Sequence, residues 1–113
     1  MGASPNPLRY SHRAVEMLKA NGHPVEAVGL RTGEIDGVAI NTDHVQFDDV
    51  DTVTLYVGPR NQESWKSYIK SLNPNRVIFN PGAENDEFGD ELKSRGIEVE
   101  EACTLVLLSM GSY

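Results

Sequence analysis

Thr52-Val53-Thr54-Leu55-Tyr56-Val57 is β-branched or aromatic almost throughout. A strand buried on both faces has this pattern. Gly58-Pro59 then stops it. Trp65, Tyr68, Ile69 and Leu72 follow at i, i+3, i+4 and i+7, which predicts a helix over about 61–72. One apolar face packed on a sheet explains this spacing better than an aromatic ligand box. Residues 76–79 form the next apolar strand, and Asn80-Pro81-Gly82 turns the chain. Phe88 and Leu92 mark a helix over about 86–95, closed by Gly96, and 97–99 reads as a short strand.

Upstream, Tyr10, Ala14, Met17 and Leu18 fall at helical spacing within 9–21. Gly22 is a C-cap residue, and Pro24 prevents continuation. Residues 24–29 read as a short strand with Val25, Ala27 and Val28 turned inward. Residues 30–37 read as a loop broken by Gly33 and Gly37, and 38–40 as an extended piece. The apolar run 104–110 fits a helix or a strand, and a helix is preferred. Strands alternate with helices across short turns. This argues for an α/β three-layer sandwich around a parallel sheet with right-handed crossovers, in one domain over residues 1–113.

The chain has 113 residues, 39% hydrophobic and 24% charged, as in an ordinary soluble protein. No run is long and apolar enough to span a bilayer, and no signal peptide is visible. The one cysteine, Cys103, cannot form an internal disulfide, which fits a reducing cytosol; the expected location is cytoplasmic. A net charge of −7 argues against nucleic acid as a partner.

The charge is uneven. Residues 1–31 hold Arg9, Arg13, Lys19 and Arg31 against Glu16 and Glu26, a net +2. Residues 84–101 hold Glu84, Asp86, Glu87, Asp90, Glu91, Glu98, Glu100 and Glu101 against Lys93 and Arg95, a net −6. The acidic end reads equally well as a solvated face. The basic end suits a small phosphorylated ligand.

That basic end opens Met1-Gly2-Ala3-Ser4-Pro5-Asn6-Pro7-Leu8-Arg9-Tyr10-Ser11. Small residues let a ligand approach the backbone, and the prolines stiffen the loop. Such a loop ahead of a helix N-terminus directs backbone N–H groups and the positive end of the helix dipole at one spot. A phosphate fits there; a plain surface turn is the alternative. A loop of this kind normally follows a buried first strand, for which only Met1 remains. The first strand is therefore expected to be truncated, with N-terminal residues missing from the chain.

Ligands of open α/β sheets sit at the carboxyl ends of the strands. The first loop is not G-x-G-x-x-G, so the standard dinucleotide fingerprint is absent. The second strand ends Val28-Gly29-Leu30-Arg31. An NAD site would place an acid there; Arg31 offers a bidentate donor for a ribose phosphate, as in CoA or NADP, with a solvated loop arginine as the equal alternative. The strand ending Tyr56-Val57-Gly58-Pro59-Arg60 would bring an apolar wall and another arginine to its rim.

Gly2-Ala3-Ser4-Pro5-Asn6-Pro7 with Arg9-Tyr10-Ser11 and Ala14 resembles the opening of the small bacterial CoA-binding proteins. The CoA-binding domain of succinyl-CoA ligase is a more distant relative. The resemblance continues through Gly22-His23, Asp51-Thr52-Val53-Thr54-Leu55-Tyr56, Ile78-Phe79-Asn80-Pro81-Gly82 and Glu101-Ala102-Cys103-Thr104-Leu105-Val106. It implies a Rossmann-like, doubly wound domain that binds coenzyme A or an acyl-CoA. It also implies that Gly2, Ala3, Ser4, Asn6, Arg9 and Tyr10 hold phosphates. The groove is then lined by Gly29, Arg31, Tyr56, Val57, Pro59 and Asn80.

Cys103 is the one candidate thiol, for disulfide formation with the CoA thiol or for acyl transfer; the alternative is a buried small residue. His12, His23 and His44 lack metal spacing, and a solvated role is expected for His12, with a phosphate-facing one as the alternative. No nucleophile–base order, paired carboxylates or calcium loop stands out. The leading expectation is a non-catalytic CoA carrier or sensor. The alternatives are an NADP-type oxidoreductase fragment and an interaction domain that kept the fold without the ligand. Pairing into a homodimer through a sheet edge or the C-terminal apolar run stays open.

Overall fold

The computed structural model describes residues 1–113. In chain order the elements are α1 (Tyr10–Ala20), β1 (Ala27–Val28), β2 (Gly33–Ile35), β3 (Val38–Asn41) and β4 (Thr52–Leu55). A 3₁₀ turn (Pro59–Asn61), α2 (Glu63–Leu72), β5 (Arg76–Phe79), α3 (Asp86–Ser94), β6 (Glu98–Glu101) and α4 (Thr104–Ser109) complete the chain. It is the mixed α/β fold expected from the alternation of apolar strands and amphipathic helices. No helix is long and apolar enough to cross a membrane. The elements divide into two compact units, Met1–Val45 with Thr104–Tyr113, and Gln46–Cys103.

In the first unit, α1 turns Ser11, Ala14, Val15 and Leu18 inward and packs against α4. The sheet order is β1-β3-β2: β1 pairs parallel with β3, and β2 antiparallel with β3. The hairpin corrects the expectation of a loop over 30–37. Ile35 stands opposite Val38, so Asp36 and Gly37 alone make the turn, with φ of 47° and 83°. Two successive left-handed residues match the right-handed twist of the flanking strands. Val15, Ala27, Ile35, Ile40 and Ala3 form the core, with Val25 and Val38 packed on it.

In the second unit, β4, β5 and β6 are parallel, with β5 in the middle. Val77, Ile78 and Phe79 of β5 are buried, as a strand covered on both faces requires. The same was expected of 52–57. Instead β4 ends at Leu55, and along it half-buried Thr52 and Thr54 alternate with buried Val53 and Leu55. Thr54 keeps its hydroxyl at a polar contact with Asn80, so that face is not fully apolar. The edge strand β6 carries Glu98, Glu100 and Glu101, charges that oppose pairing with another chain.

Trp65, Tyr68 and Ile69 of α2 are buried, as their spacing predicts. Phe88 of α3 meets Phe79 edge-on at 5.9 Å. Each fully buried phenylalanine contributes about 1.5–3 kcal/mol. Asn73, with φ of 47°, closes α2 in the left-handed conformation, and Asn85 caps α3 by accepting from the Phe88 N–H at 3.1 Å.

Candidate functional site

Pro5 and Pro7 keep the N-terminal loop out of helix until Arg9, and its polar residues bond locally. The Gly2 and Ala3 N–H groups both donate to the Val28 carbonyl, at 2.9 and 3.0 Å. The loop thus hangs on the end of β1 by these two N–H groups. Ala3 is buried, and Gly2 adopts φ of 84°. Ser4 Oγ accepts from the Asn6 N–H at 3.1 Å, Asn6 Oδ1 from the Leu8 N–H at 3.0 Å, and the Asn6 carbonyl from the Arg9 N–H at 3.1 Å. Asx- and Ser-turns stiffen the loop.

Two glycines seat this loop from below. A Cβ on Gly29 would collide with the Ala3 carbonyl, and one on Gly33 would stand 2.8 Å from Pro5 Cβ. Gly29 is therefore a point of close backbone approach as well as a residue of the expected groove. His12, expected to be solvated, is a clasp: its Nδ1 donates to the Ser4 carbonyl at 3.0 Å, and its Nε2 lies 3.6 Å from Glu16. A histidine eight residues beyond a serine gives no sequence signal of that contact.

The donors left open lie one step further on. Arg9, the N-cap of α1, supplies no side-chain cap, and the first-turn N–H groups of Tyr10, Ser11 and His12 meet no protein acceptor. Unsatisfied amides at the positive end of a helix favour an anion. Arg9, Tyr10, Arg13 and Arg31 are exposed, and the Arg13 guanidinium lies 5.9 Å from the centre of the Tyr10 ring. The first unit thus gathers Gly2, Ala3, Ser4, Asn6, Arg9, Tyr10 and Gly29 around one seated loop, with Arg31 two residues past Gly29.

In the second unit, the remaining expected residues lie at the carboxyl ends of β4 and β5. Tyr56 and Val57 are half-buried just past β4, and Pro59 is exposed at the start of the 3₁₀ turn. Asn80 is fully buried. Its Nδ2 donates to Thr54 Oγ1 at 2.8 Å and to the Leu55 carbonyl at 3.0 Å, so it ties β5 to β4 beneath the surface. Cys103 is half-buried and free, directly before α4.

Sequence reasoning missed Gln62, which is fully buried. Its Nε2 donates to the carbonyls of Val57 and Ala83, each at 2.7 Å, and its Oε1 accepts from Asn85 Nδ2 at 3.0 Å. A glutamine between a Gly-Pro turn and a helix looks like an ordinary polar cap, so burial left no trace in the pattern. The charged side chains with shifted pKa lie elsewhere. Hydrogen bonds from Asn75 and Thr52 hold the Asp51 carboxyl below its ordinary range, at the amino end of β4. Lys70 lowers Glu91, and Glu63 raises Lys66, on α2 and α3. No three His, Cys, Asp or Glu side chains come together as metal ligands would.

A family model described as CoA binding domain matches residues 1–109. A solved structure described as an uncharacterized protein is 48% identical, with a TM-score of 0.96 over 99% of this chain and 93% of its own. A protein of Thermus thermophilus shares the fold at 23% identity, with a TM-score of 0.86 over 100% of this chain and 87% of its own. One from Pyrococcus horikoshii does so at 21% identity and a TM-score of 0.86, over 96% and 78%. No curated protein matches the chain.

Proposed function

This chain belongs to the CoA binding domain family, and from that premise we propose that it binds coenzyme A or a short acyl-CoA as a non-catalytic cytosolic carrier or sensor. The observation that carries this reading is the uncapped first turn of α1 behind a loop stiffened by its own hydrogen bonds. A phosphate of the ligand lies against the N–H groups of Tyr10, Ser11 and His12, with Arg9 beside it. Gly2, Ala3, Ser4 and Asn6 shape the loop that presents this turn, and Gly29 gives it room.

Arg31 takes the 3′-phosphate as a charge-assisted donor. At the carboxyl ends of β4 and β5, Tyr56, Val57 and Pro59 offer an apolar rim, and Asn80 holds the strands that carry it. The half-buried Cys103 is assigned no step in binding. Retention of CoA under oxidising conditions by Cys103→Ser, equal to that of the parent chain, is the expected result.

Native mass spectrometry with CoA, acetyl-CoA, NADP and ATP in equal amounts tests the reading. A complex with CoA or acetyl-CoA alone is expected. A complex with NADP alone, or with none of the four, overturns it.

A further inference from the structure

Gln62 does more than start α2. Its carbonyl accepts from the N–H groups of Trp65 and Lys66 at 2.8 and 3.1 Å, while its side chain gives that helix no cap. The side chain is left to reach elsewhere. Its amide uses both N–H donors on carbonyls, Val57 in the loop after β4 and Ala83 in the loop after β5. Its oxygen takes the Asn85 amide, and Asn85 in turn caps α3. One buried side chain therefore fixes two loops and the start of the next helix. A buried amide with its donors satisfied rigidifies what it bridges.

These loops leave the carboxyl ends of adjacent parallel strands, where ligands of α/β sheets bind. Their tips are glycines, and the Gly82 N–H donates to Glu84 Oε1 at 2.7 Å. A Cβ on Gly58 would lie 3.7 Å from the Gly82 carbonyl, so the two tips adjoin, and Gly82, at φ of +92°, faces open space. Such an edge is lined by backbone, and the position of the backbone is what Gln62 sets.

We propose that Gln62 is a positioning residue for ligand binding: it holds the 56–62 and 80–85 loops at the spacing that receives the bound CoA. This rests on the CoA-binding reading above. Preorganised loops raise affinity by removing the ordering cost at the moment of binding.

The test uses the full chain and two substitutions. Gln62→Glu keeps the shape, but its carboxylate faces the Val57 and Ala83 carbonyls without a donor. Gln62→Met removes the bonds without adding charge, and serves if the first variant does not fold. Ile69→Val, a buried change in α2, is the control for lost stability alone. Titration calorimetry with CoA is run where every variant is folded by circular dichroism, together with amide hydrogen exchange on the free proteins.

The expected result is a Kd for CoA at least tenfold weaker in the Gln62 variants and unchanged in Ile69→Val, with faster exchange confined to the two loops. An unchanged Kd in the Gln62 variants, a similar loss in Ile69→Val, or unaltered loop exchange overturns the inference. If the parent chain itself binds no CoA, the CoA-binding reading fails and the inference falls with it. Binding by the parent and equal binding by both Gln62 variants would sink the inference alone.

Discussion

The carbonyl of Ala3 occupies the space that a side chain on Gly29 would need. The contact is backbone against backbone, so no rotamer change can relieve it. Gly29→Ala must push the N-terminal loop off the end of β1 or distort β1 itself. Overpacking of this kind costs about 1–3 kcal/mol. Urea denaturation should show that loss, and the Kd for CoA should rise with it. Unchanged stability would mean that the loop seats differently.

Arg31 is exposed and stands two residues beyond that contact. If it holds the 3′-phosphate, dephospho-CoA should bind more weakly than CoA by about 1.5–3 kcal/mol, the value of a hydrogen bond to a charged group. Arg31→Ala should erase the difference between the two ligands while weakening dephospho-CoA little. Calorimetry with both ligands on both proteins decides it. Equal binding of CoA and dephospho-CoA by the parent chain removes Arg31 from the site.

Asn80 is buried and bonds Thr54 Oγ1 and the Leu55 carbonyl. Asn80→Ala leaves those acceptors without the amide and opens a small cavity. The loss should be about 1–3 kcal/mol, read as a lower urea midpoint at an unchanged m-value. A variant as stable as the parent would show that the amide adds nothing to the β4–β5 pairing.

Asp51 accepts from Asn75 Nδ2 at 2.9 Å and from Thr52 Oγ1 at 2.7 Å, and these bonds lower its pKa, with Arg76 adding a smaller pull. A carboxyl depressed in the folded state stabilises above its unfolded pKa, about 3.9. That contribution is lost as pH falls through the lower folded value. Asp51→Asn should therefore flatten the acid limb of the stability–pH curve below about pH 4, and leave its slope near neutrality unchanged. Thermal melts across pH 2–7 in the two proteins, at about unit steps, measure this. Parallel acid limbs would count against the assignment.

The elements with strong periodicity were legible in the chain. Trp65, Tyr68 and Ile69 report a helix by their spacing alone, and Val77-Ile78-Phe79 reports a buried strand because only a covered strand is apolar on both faces. The β2–β3 hairpin was not read, although Asp36-Gly37 is a strong two-residue turn signal. Gly33-Glu34-Ile35 is too short and too polar to stand out beside it, and two of its three residues are exposed.

The candidate site divides the same way. The loop from Gly2 to Arg9, its junction with α1 and the arginines beside it are local features, and local composition with turn chemistry is enough to find them. Which amides stay open is a different matter. Gly2 and Ala3 lose theirs to Val28, a residue 25 positions or more away in the chain, while Tyr10, Ser11 and His12 keep theirs because Arg9 offers no cap. The clasp of His12 on Ser4, the burial of Gln62 between two loops and the seat that Gly29 gives Ala3 belong to tertiary structure alone. Hydrophobic periodicity records which way a segment faces, whereas the partner of a polar group depends on which distant backbone folding brings to it.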